Sequence, residues 1–420
     1  MSYTLSISFV KWRVRFILIA LLSYILMILF AGPMRMGLST MGLSPLIYAP
    51  NVLILIAIVW HVLREPFENG ISTLHLIALV IPLSAFLVGL LFLSPIQVAM
   101  GGYVLLPFIF GIVCGPVLLE NWSLINRFVP WLWLSVSGGL LVNNYLSYPW
   151  EGFGYALGTL EVEGSREWYA TGGVKRLAGF ARSSFDAAGQ VQILGLLLVL
   201  SLRNTLLKII VWASTALAIV LTTSKGIFLV FIILTPTLFF SKWLPQTPLR
   251  TLPLIFGLIA LLMPMSTLLF TFDSQFNDPT LANLTYSYYD RLNYMWPQGW
   301  LLLNEHGNLL LGRGLGGIGT AQTYFEPSLF NAADNIFLYW FVIFGWSLLP
   351  IIILLLLRTL RLKPLADIQQ LTIFCLLLSV LVYGSMTNIV ENAMFAIVCG
   401  LVLRWLFGTP RKAIPEYTFG

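Results

Sequence analysis

The stretch "FNAADNIFLYWFVIFGW" (residues 330–346) places a carboxylate and an amide, Asp334 and Asn335, directly before a long apolar run. A helix needs roughly 20 apolar residues to cross the hydrocarbon core of a bilayer, which is about 30 Å thick. The run reaches this length by residue 357, so we predict a transmembrane helix over residues 335–357. Asp334 would then lie where the membrane meets water.

The same pattern recurs along the whole chain. Of its 420 residues, 58% are hydrophobic and 10% are charged, whereas a soluble protein has about 25% charged residues. The apolar runs are unbroken and lack the alternation over about ten residues that a membrane β-barrel requires. We therefore predict an all-α, polytopic integral membrane protein with about 12 transmembrane helices. The predicted segments are residues 14–32, 46–63, 73–94, 99–119, 129–146, 189–202, 206–223, 226–241, 251–271, 335–357, 370–388 and 392–408.

The cysteines argue against a disulfide framework and a thiolate metal site, and the N-terminal segment argues against a cleavable signal peptide. Cys114, Cys375 and Cys399 all fall inside predicted spans, which argues against a disulfide framework and against a thiolate metal site. The first apolar segment is too long for a signal peptide and lacks a small-residue cleavage site, so we predict no cleavable signal. We find no carboxylate cluster of the kind that binds a divalent metal, and we predict neither a metal nor a cofactor.

The Lys and Arg residues indicate the orientation of the chain. With the N-terminus in the cytoplasm, most of the 23 Lys and Arg residues fall in short cytoplasmic loops, as the positive-inside rule requires. Two long external loops are rich in Trp, Tyr and Gly, so we expect them to be folded. The predicted organisation is N-terminal transmembrane helices in 1–146, a first external loop in 147–188, central helices in 189–271, a large external loop in 272–334 before the tenth helix, and C-terminal helices with a cytoplasmic tail in 335–420.

Some cations remain on the external side and break the positive-inside rule. They are Arg35, Arg166, Lys175, Arg176, Arg182, Lys225, Arg291 and Arg313. The segment "GGVKRLAGFARSSFDAAGQ" (residues 172–190) holds three of them and adds Asp186. Arg presents a planar fork of donors that matches phosphate oxygens, so this segment suits a phosphate group at the depth of lipid headgroups. Solvated loop charges or lipid-headgroup anchors would explain the same residues.

A second candidate is the very short turn in "LTTSKGIFLV" (residues 221–230), between two predicted spans. Lys225 is its only cation and cannot easily move away into solvent. An interfacial Lys that extends its ammonium group to the membrane surface is the simple explanation. The polar residues Thr222, Thr223 and Ser224 beside it favour a binding role.

A third candidate is the aromatic segment "TYSYYDRLNYMW" (residues 285–296) in the large external loop. Aromatic rings such as that of Tyr294 stack on the apolar faces of sugars, while polar groups bind the sugar hydroxyls. An aromatic belt at the membrane interface explains the tyrosines equally well, but it does not explain Arg291.

The glycine-rich run "GRGLGGIG" (residues 312–319) does not predict a dinucleotide site, because no strand precedes it and no βαβ unit surrounds it. We interpret it as a tight loop near the membrane.

Carboxylates at the external edge are the candidates for acid–base chemistry. Asp334 could cap the helix that follows it, since a carboxylate suits the positive end of the helix dipole. It could also act as a general base at the boundary between water and membrane, and both roles are compatible. Glu391, between the last two spans, is another external carboxylate, and His306 is a second candidate base.

In this order, the motifs resemble the O-antigen polymerase and ligase superfamily of bacterial envelope glycosyltransferases, over roughly residues 175–395. The resemblance rests on "RLAGF", on a Thr-Ser-Lys-Gly turn where the family often has Ser-Arg-Gly, on "DRLNYMW", on "LLLGRGLGGIG" and on "ADNIFLYWFVIFG". Ligases of the family usually have a His before the Asn of the last motif. Asp334 stands there in this chain, which favours a polymerase. Lys225 keeps the charge of the family's Arg but loses its bidentate fork.

The resemblance implies an inverting, metal-independent glycosyl transfer at the periplasmic face of the bacterial inner membrane. The donor would be an oligosaccharide on undecaprenyl pyrophosphate, and the acceptor a second lipid-linked repeat unit. The implied partners are this lipid-linked oligosaccharide, membrane lipids and a chain-length regulator, with no nucleic acid. Asp334 would take the acceptor proton, and Arg291 would stabilise the leaving pyrophosphate. The other residues expected to bind pyrophosphate or glycan are Lys175, Arg176, Arg182, Lys225, Arg313, Asn335, Tyr294 and Glu391.

Two other functions remain open. One is a ligase that transfers finished glycan to lipid A core or to protein. The other is a flippase for lipid-linked oligosaccharides, a transporter rather than an enzyme. Transporters usually place their charged sites near the midplane of the bilayer, whereas the ionisable residues here concentrate at one external face. That distribution favours chemistry at the interface.

Overall fold

The computed structural model describes residues 2–69, 73–157, 160–170, 173–240, 243, 245–272 and 279–408. The cytoplasmic tail predicted at the end of the chain lies outside the described residues from position 409 onward. Helices account for 74% of the structure and strands for 3%. The helices are α1 Ser2–Leu29, α2 Ala31–Thr40, α3 Ala49–Asn69, α4 Thr73–Phe92, α5 Pro95–Glu120, α6 Trp122–Asn143, α7 Ser184–Ser201, α8 Thr205–Leu221, α9 Lys225–Phe240, α10 Gln246–Ser266, α11 Pro279–Asp290, α12 Trp296–His306, α13 Thr320–Phe325, α14 Ile336–Phe344, α15 Leu349–Thr359, α16 Ile368–Gly384 and α17 Ala393–Phe407.

The long apolar helices indicate a membrane protein. Among the described residues, five helices are long and apolar enough to cross a bilayer, and a bent pair would make a sixth. The five are Lys11–Leu29, Ser44–Arg64, Pro95–Glu120, Ser184–Ser201 and Gln246–Ser266. Five shorter apolar helices accompany them, namely Val80–Phe92, Thr205–Leu221, Lys225–Phe240, Ile368–Gly384 and Ala393–Phe407. The predicted number of about twelve spans is not confirmed.

The predicted continuous helix over residues 335–357 is wrong. The chain forms α14 and then, from Trp346, a second helical segment that turns by 116°. Gly345 lies at the break with a φ of 66°, a left-handed conformation that glycine adopts without steric cost. In a membrane, such a break is tolerated only where protein or water satisfies the exposed backbone groups. Here the backbone N–H of Trp346 donates to the carbonyl of Leu309 at 2.8 Å.

The centre of the bundle is built around close contact between α5 and α17. A Cβ on Gly400 would lie 2.2 Å from the carbonyl oxygen of Phe108, so only glycine fits at this position. Small residues allow two helix backbones to approach in the same way in many membrane proteins. α7 and α16 are buried along nearly their whole length and complete this core.

The first long loop is folded, as expected, and it contains short strands; with 3% of its residues in strands, the structure remains consistent with the predicted all-α membrane protein. The strands β1 Gly154–Leu157 and β2 Leu160–Glu163 form one antiparallel pair, and β3 Trp168–Tyr169 and β4 Lys175–Arg176 form another. The end of the loop is anchored to the helices. The Asn143 side chain accepts a hydrogen bond from the backbone N–H of Gly179 at 3.0 Å.

The second long loop is mostly helical. α11 continues through a π-helical turn, Arg291–Met295, directly into α12. The glycine-rich run then inserts between α4, α5 and α14. Gly314 has a φ of 78°, and a Cβ there would lie 2.1 Å from the backbone nitrogen of Gly89. The run is therefore the tight loop that the sequence predicts.

Candidate functional site

Several ionisable residues that stand far apart in the sequence come together where loops enter the helices. Tyr383, in the last turn of α16, lies within electrostatic range of Arg176, Asp186 and Asp334. Arg176 precedes α7, Asp186 lies in its first turn, and Asp334 precedes α14. The charged segment of the first loop and the proposed base therefore both lie in the neighbourhood of Tyr383.

Asp334 and Arg291 form the central ion pair of this site. The Nη2 and Nε groups of Arg291 donate to Oδ2 of Asp334 at 2.7 and 3.1 Å. A third guanidinium nitrogen, Nη1, donates to the carbonyl of Ser287 at 2.8 Å. Both side chains keep some solvent exposure, 19% for Arg291 and 21% for Asp334. The pair is thus fixed in position and still accessible.

The two oxygens of the Asp334 carboxylate have different surroundings. Oδ2 accepts both bonds from Arg291, whereas Oδ1 has a longer contact of 3.4 Å with the hydroxyl of Thr387. That distance exceeds the 2.5–3.0 Å usual for an O–H···O bond. Of the two oxygens, Oδ1 therefore has the weaker protein partner.

Asn335, not Asp334, caps α14. Its Oδ1 accepts from the backbone N–H groups of Phe337 and Leu338 at 2.9 and 3.1 Å. Its Nδ2 donates to the carbonyl of Ala260 at 2.8 Å, and the side chain is completely buried. The predicted N-cap role of Asp334 is therefore wrong. The predicted role of Asn335 as a substrate ligand is also contradicted, because both ends of its amide already have protein partners.

The backbone at the site is strained. Ala333 and Asp334 have φ values of 63° and 42°, a region that non-glycine residues rarely adopt. The neighbouring π-helical turn at Arg291 is also uncommon, and both features concentrate at functional sites. Asn331 supports this conformation, since its Oδ1 accepts from the backbone N–H of Ala333 at 2.7 Å.

Burial raises the pKa of the Asp334 carboxyl group above its ordinary value. Arg291 and Thr387 act in the opposite direction, because each donates a hydrogen bond to the ionised form. A carboxyl group with a raised pKa is a stronger base once it is ionised. This is the direction that a general base acting near neutral pH requires.

Arg176 lies against the turn that precedes α9. Its Nε donates to the hydroxyl of Thr223 at 2.9 Å, and its guanidinium stacks 4.4 Å from the ring centroid of Phe185. Thr223 is the third non-glycine residue with positive φ, at 54°. Lys225 begins α9 immediately after this turn and is exposed. The structure therefore places Arg176 and Lys225 on either side of one turn.

Arg182 lines a cavity of about 360 Å³ that we call the arginine cavity. Its polar residues include Arg35, Arg182, Asp186, Gln190 and Glu391. Asp186 also joins the starts of two helices: it accepts from Ser183 at 2.7 Å at the start of α7 and from Asn392, the N-cap of α17, at 2.9 Å. The cavity lies beside these helix starts.

Glu391 reaches this cavity but is held by α13. Its carboxylate accepts from the backbone N–H of Thr320 at 3.0 and 3.1 Å and from the Thr320 hydroxyl at 2.6 Å. Burial raises its pKa, and Arg182 opposes that shift. Glu391 therefore lies at the cavity wall and also holds the glycine-rich loop to α17.

Arg313 was predicted to bind substrate, and the structure contradicts this. Its side chain is 2% exposed, and its nitrogens donate to the carbonyls of His306 and Gly317 and to the carboxylate of Glu326, at 3.1, 2.8 and 2.7 Å. These contacts occupy the guanidinium on all sides. Arg313 therefore stabilises the loop through these internal hydrogen bonds.

Three other predicted residues do not line the arginine cavity. Lys175 forms ion pairs with Glu151 and Glu167 at 2.6 and 3.1 Å, so these carboxylates already neutralise it. Tyr294 is 54% exposed on the π-helical turn, and His306 is exposed at the end of α12. The structure does not bring these side chains into the arginine cavity.

Sequence reasoning missed two side chains that contribute to the site. Arg35 was noted as an external cation but was not assigned to a site, because it lies far from the other motifs in sequence. Thr387 contacts Asp334 from the end of α16 and carries no distinctive pattern. The break of the positive-inside rule was the one signal that pointed to Arg35.

Comparisons with known proteins found no matching family model, no matching curated protein and no matching solved structure.

Proposed function

We propose that this protein is a polysaccharide polymerase of the bacterial inner membrane that joins repeat units carried on undecaprenyl pyrophosphate. The observation that carries the proposal is the accessible ion pair between Asp334 and Arg291. It unites the residue expected to act as base with a residue expected to stabilise the leaving group. The apolar helices around it suit a substrate that is itself held in the membrane.

The proposed reaction is a single inverting displacement. Oδ1 of Asp334 accepts the proton of an acceptor hydroxyl, and the hydroxyl oxygen attacks the anomeric carbon of the donor sugar. The bond from that carbon to the pyrophosphate oxygen breaks, and the lipid pyrophosphate leaves with the electron pair. Cations aimed at the developing charge lower the barrier to such a step.

The cations for the leaving group are those that the fold gathers near Asp334. Arg291 contacts the base directly, and Arg176 lies within electrostatic range of the same region. Arg291 therefore has two roles in the proposal: it orients Asp334 through Oδ2 and offers positive charge to the pyrophosphate. The aromatic π-helical turn beside it would hold the acceptor sugar.

The experiment that tests the proposal is the surface glycan of a deletion strain, resolved on a gel and probed for its lipid carrier. Lipid A core bearing one repeat unit, with no ladder, supports a polymerase. Bare core with long polymer still on the carrier would instead indicate a ligase. Repeat units confined to the cytoplasmic side would indicate a flippase, and either result would overturn the proposal.

Complementation links that result to the site. Arg176→Ala, Arg291→Ala and Asp334→Ala should each fail to restore the ladder at normal protein levels. Lys175→Ala is the matched control, because its two ion pairs with carboxylates place it outside the proposed site. A full ladder with all three site variants would contradict the residue assignment.

A further inference from the structure

The arginine cavity holds two cations whose guanidinium groups are incompletely paired. Nε of Arg35 and Nε of Arg182 are buried without a hydrogen-bond partner among the described residues. Arg35 donates only a long bond, 3.3 Å, from Nη1 to the carbonyl of Gly164. No carboxylate of the described residues forms an ion pair with either arginine. Buried donors without partners are rare in native proteins, and two of them lining one cavity form a site that a bound anion would satisfy.

The carboxylates that line the cavity do not fill this role. Asp186 bonds to Ser183 and Asn392, and Glu391 bonds to Thr320, all of them neutral donors. Burial and the neighbouring charge of Arg35 both lower the pKa of the Arg182 guanidinium. An anion between the arginines would relieve the repulsion and satisfy the donors.

A plain anion would leave one further group unsatisfied. Gln190 lines the cavity from α7 and is 2% exposed. Its Nε2 donates to the carbonyl of Ile28 at 3.0 Å, but its Oε1 is buried with no partner among the described residues. An amide oxygen can only accept hydrogen bonds. A ligand that satisfies Gln190 as well as the arginines would therefore present an O–H or N–H donor close to its anionic group.

The other walls of the cavity limit the ligand further. Its apolar lining comes from helices of the candidate spans and includes Met27, Ile28, Ile47, Met100, Val104 and Met394. The volume of about 360 Å³ is near the lower end of the roughly 300–1,000 Å³ found for small-molecule sites. This space accommodates one sugar with its phosphate rather than a complete oligosaccharide.

We infer that the arginine cavity binds the headgroup of a lipid-borne phosphosugar, with the phosphate between Arg35 and Arg182 and a hydroxyl or amide N–H of the first sugar at Oε1 of Gln190. This inference rests on the proposed function and deepens it, because it names the part of the donor that the protein reads. Gln190 is then a specificity-determining residue, and Arg35 is an additional phosphate ligand.

Three probes separate the parts of this ligand. They are farnesyl diphosphate, the same lipid diphosphate carrying N-acetylglucosamine, and soluble N-acetylglucosamine 1-phosphate, each titrated by calorimetry into the full chain in detergent. The sugar-bearing lipid should bind about tenfold more tightly than the sugar-free lipid, since only it satisfies Gln190. The soluble sugar phosphate should bind more weakly than either lipid. If it binds as tightly as the sugar-bearing lipid, the site takes a free phosphosugar and the lipid part of the inference is wrong.

The variants assign each contact. Arg35→Ala and Arg182→Ala should weaken the binding of both lipids at least about tenfold. Gln190→Met should reduce the affinity for the sugar-bearing lipid to that for the sugar-free lipid. The affinity for the sugar-free lipid should stay unchanged. Gln192→Met is the matched control. Gln192 lies on the same helix, is completely buried and has both amide atoms without partners, but it does not line the cavity.

Equal binding of the two lipids to the unmodified protein, or equal losses for both in Gln190→Met, would overturn the sugar contact. Unchanged affinity in both arginine variants would overturn the phosphate site. Asp334→Asn separates this inference from the proposed function, because it should stop polymer formation while the sugar-bearing lipid still binds about tenfold more tightly than the sugar-free lipid. If the unmodified protein binds as described but forms no polymer from lipid-linked repeat units, the proposed function fails and the cavity assignment stands.

Discussion

Arg182 and Arg313 look alike in the sequence, and the fold gives them opposite surroundings. Each is an external cation in a glycine-containing loop beside a predicted span. Arg313 is 2% exposed and donates to two carbonyls and one carboxylate. Arg182 lines a cavity with its Nε unpartnered and with Arg35 close enough to repel it. The guanidinium of Arg313 is fully hydrogen-bonded within the protein, whereas that of Arg182 keeps a donor for a ligand.

Charge and position alone therefore do not identify a binding residue in this chain. The number of internal partners does. Arg313 completes its hydrogen bonds between residues 306 and 326, with the carbonyls of His306 and Gly317 and the carboxylate of Glu326. Arg182 ends a loop that enters the helix start at Ser183, where the nearby carboxylate of Asp186 bonds to neutral donors instead.

The largest expected effect is on stability. Arg313→Ala should destabilise the protein by about 3–5 kcal/mol, because it leaves the Glu326 carboxylate and two carbonyls without their donor. Arg182→Ala should leave the stability nearly unchanged or raise it, since it removes a buried donor without a partner. Thermal unfolding of the two purified variants in the same detergent measures this. Similar melting temperatures for the two variants would contradict the different surroundings assigned to Arg182 and Arg313.

The next effect is on catalysis. Asp334→Asn should reduce the rate of polymer formation at least about 100-fold, in the range that a general base contributes. Asp290→Asn is a suitable control, since Asp290 also lies near Arg291 but affects Asp334 only electrostatically. Polymer length and rate from a lipid-linked repeat unit, measured with purified protein, distinguish the two. A rate for Asp334→Asn within threefold of the unmodified protein would exclude it as the base.

Much of the fold was predictable from the sequence, for a physical reason. Each predicted segment overlaps at least one helix of the structure, because an uninterrupted apolar run can satisfy its backbone in lipid only as a helix. The break at Gly345 was not predicted, since the residues on both sides of it are equally apolar. The strands of the first loop were missed as well, because they are two to four residues long and show no clear alternation.

The candidate site was partly predictable. The sequence singled out Arg291 and Asp334 as unusual charges at one predicted face, but it did not predict the ion pair in which the structure places them. The roles of Asp334 and Asn335 were not separable, because both residue types cap helices well and they stand side by side. The contribution of Arg35 needed the packing of α2 against the first loop, which no local pattern indicates.

A smaller effect concerns the pH dependence of the reaction. Asp334 must be ionised to accept a proton, so activity should fall as the pH drops through its raised pKa, above the ordinary value of about 3.9. Arg291 lowers that pKa by charge and by hydrogen bonding. Arg291→Lys keeps the charge but loses the paired donors, so the acidic limb of the pH–rate profile should move to higher pH. A shift to lower pH would contradict the roles given to this pair.

The smallest expected effect tests the contact with Oδ1. Thr387→Val removes a weak donor to the ionised carboxylate, which should raise the pKa of Asp334 slightly and slow polymerisation about threefold on the acidic limb of the pH–rate profile. The same change makes Oδ1 easier for the acceptor hydroxyl to approach. Because the loss comes from protonation of the carboxyl group, it should appear at low pH and disappear at high pH. Thr372→Val is the control: its hydroxyl bonds to the carbonyl of Ile368 on its own helix, α16. If Thr387→Val slows the reaction equally at every pH, Thr387 acts on the geometry of the site and not on the charge of Asp334. The contrast between paired and unpaired groups would then apply to Arg182 and Arg313 but not to the two carboxylate oxygens of Asp334.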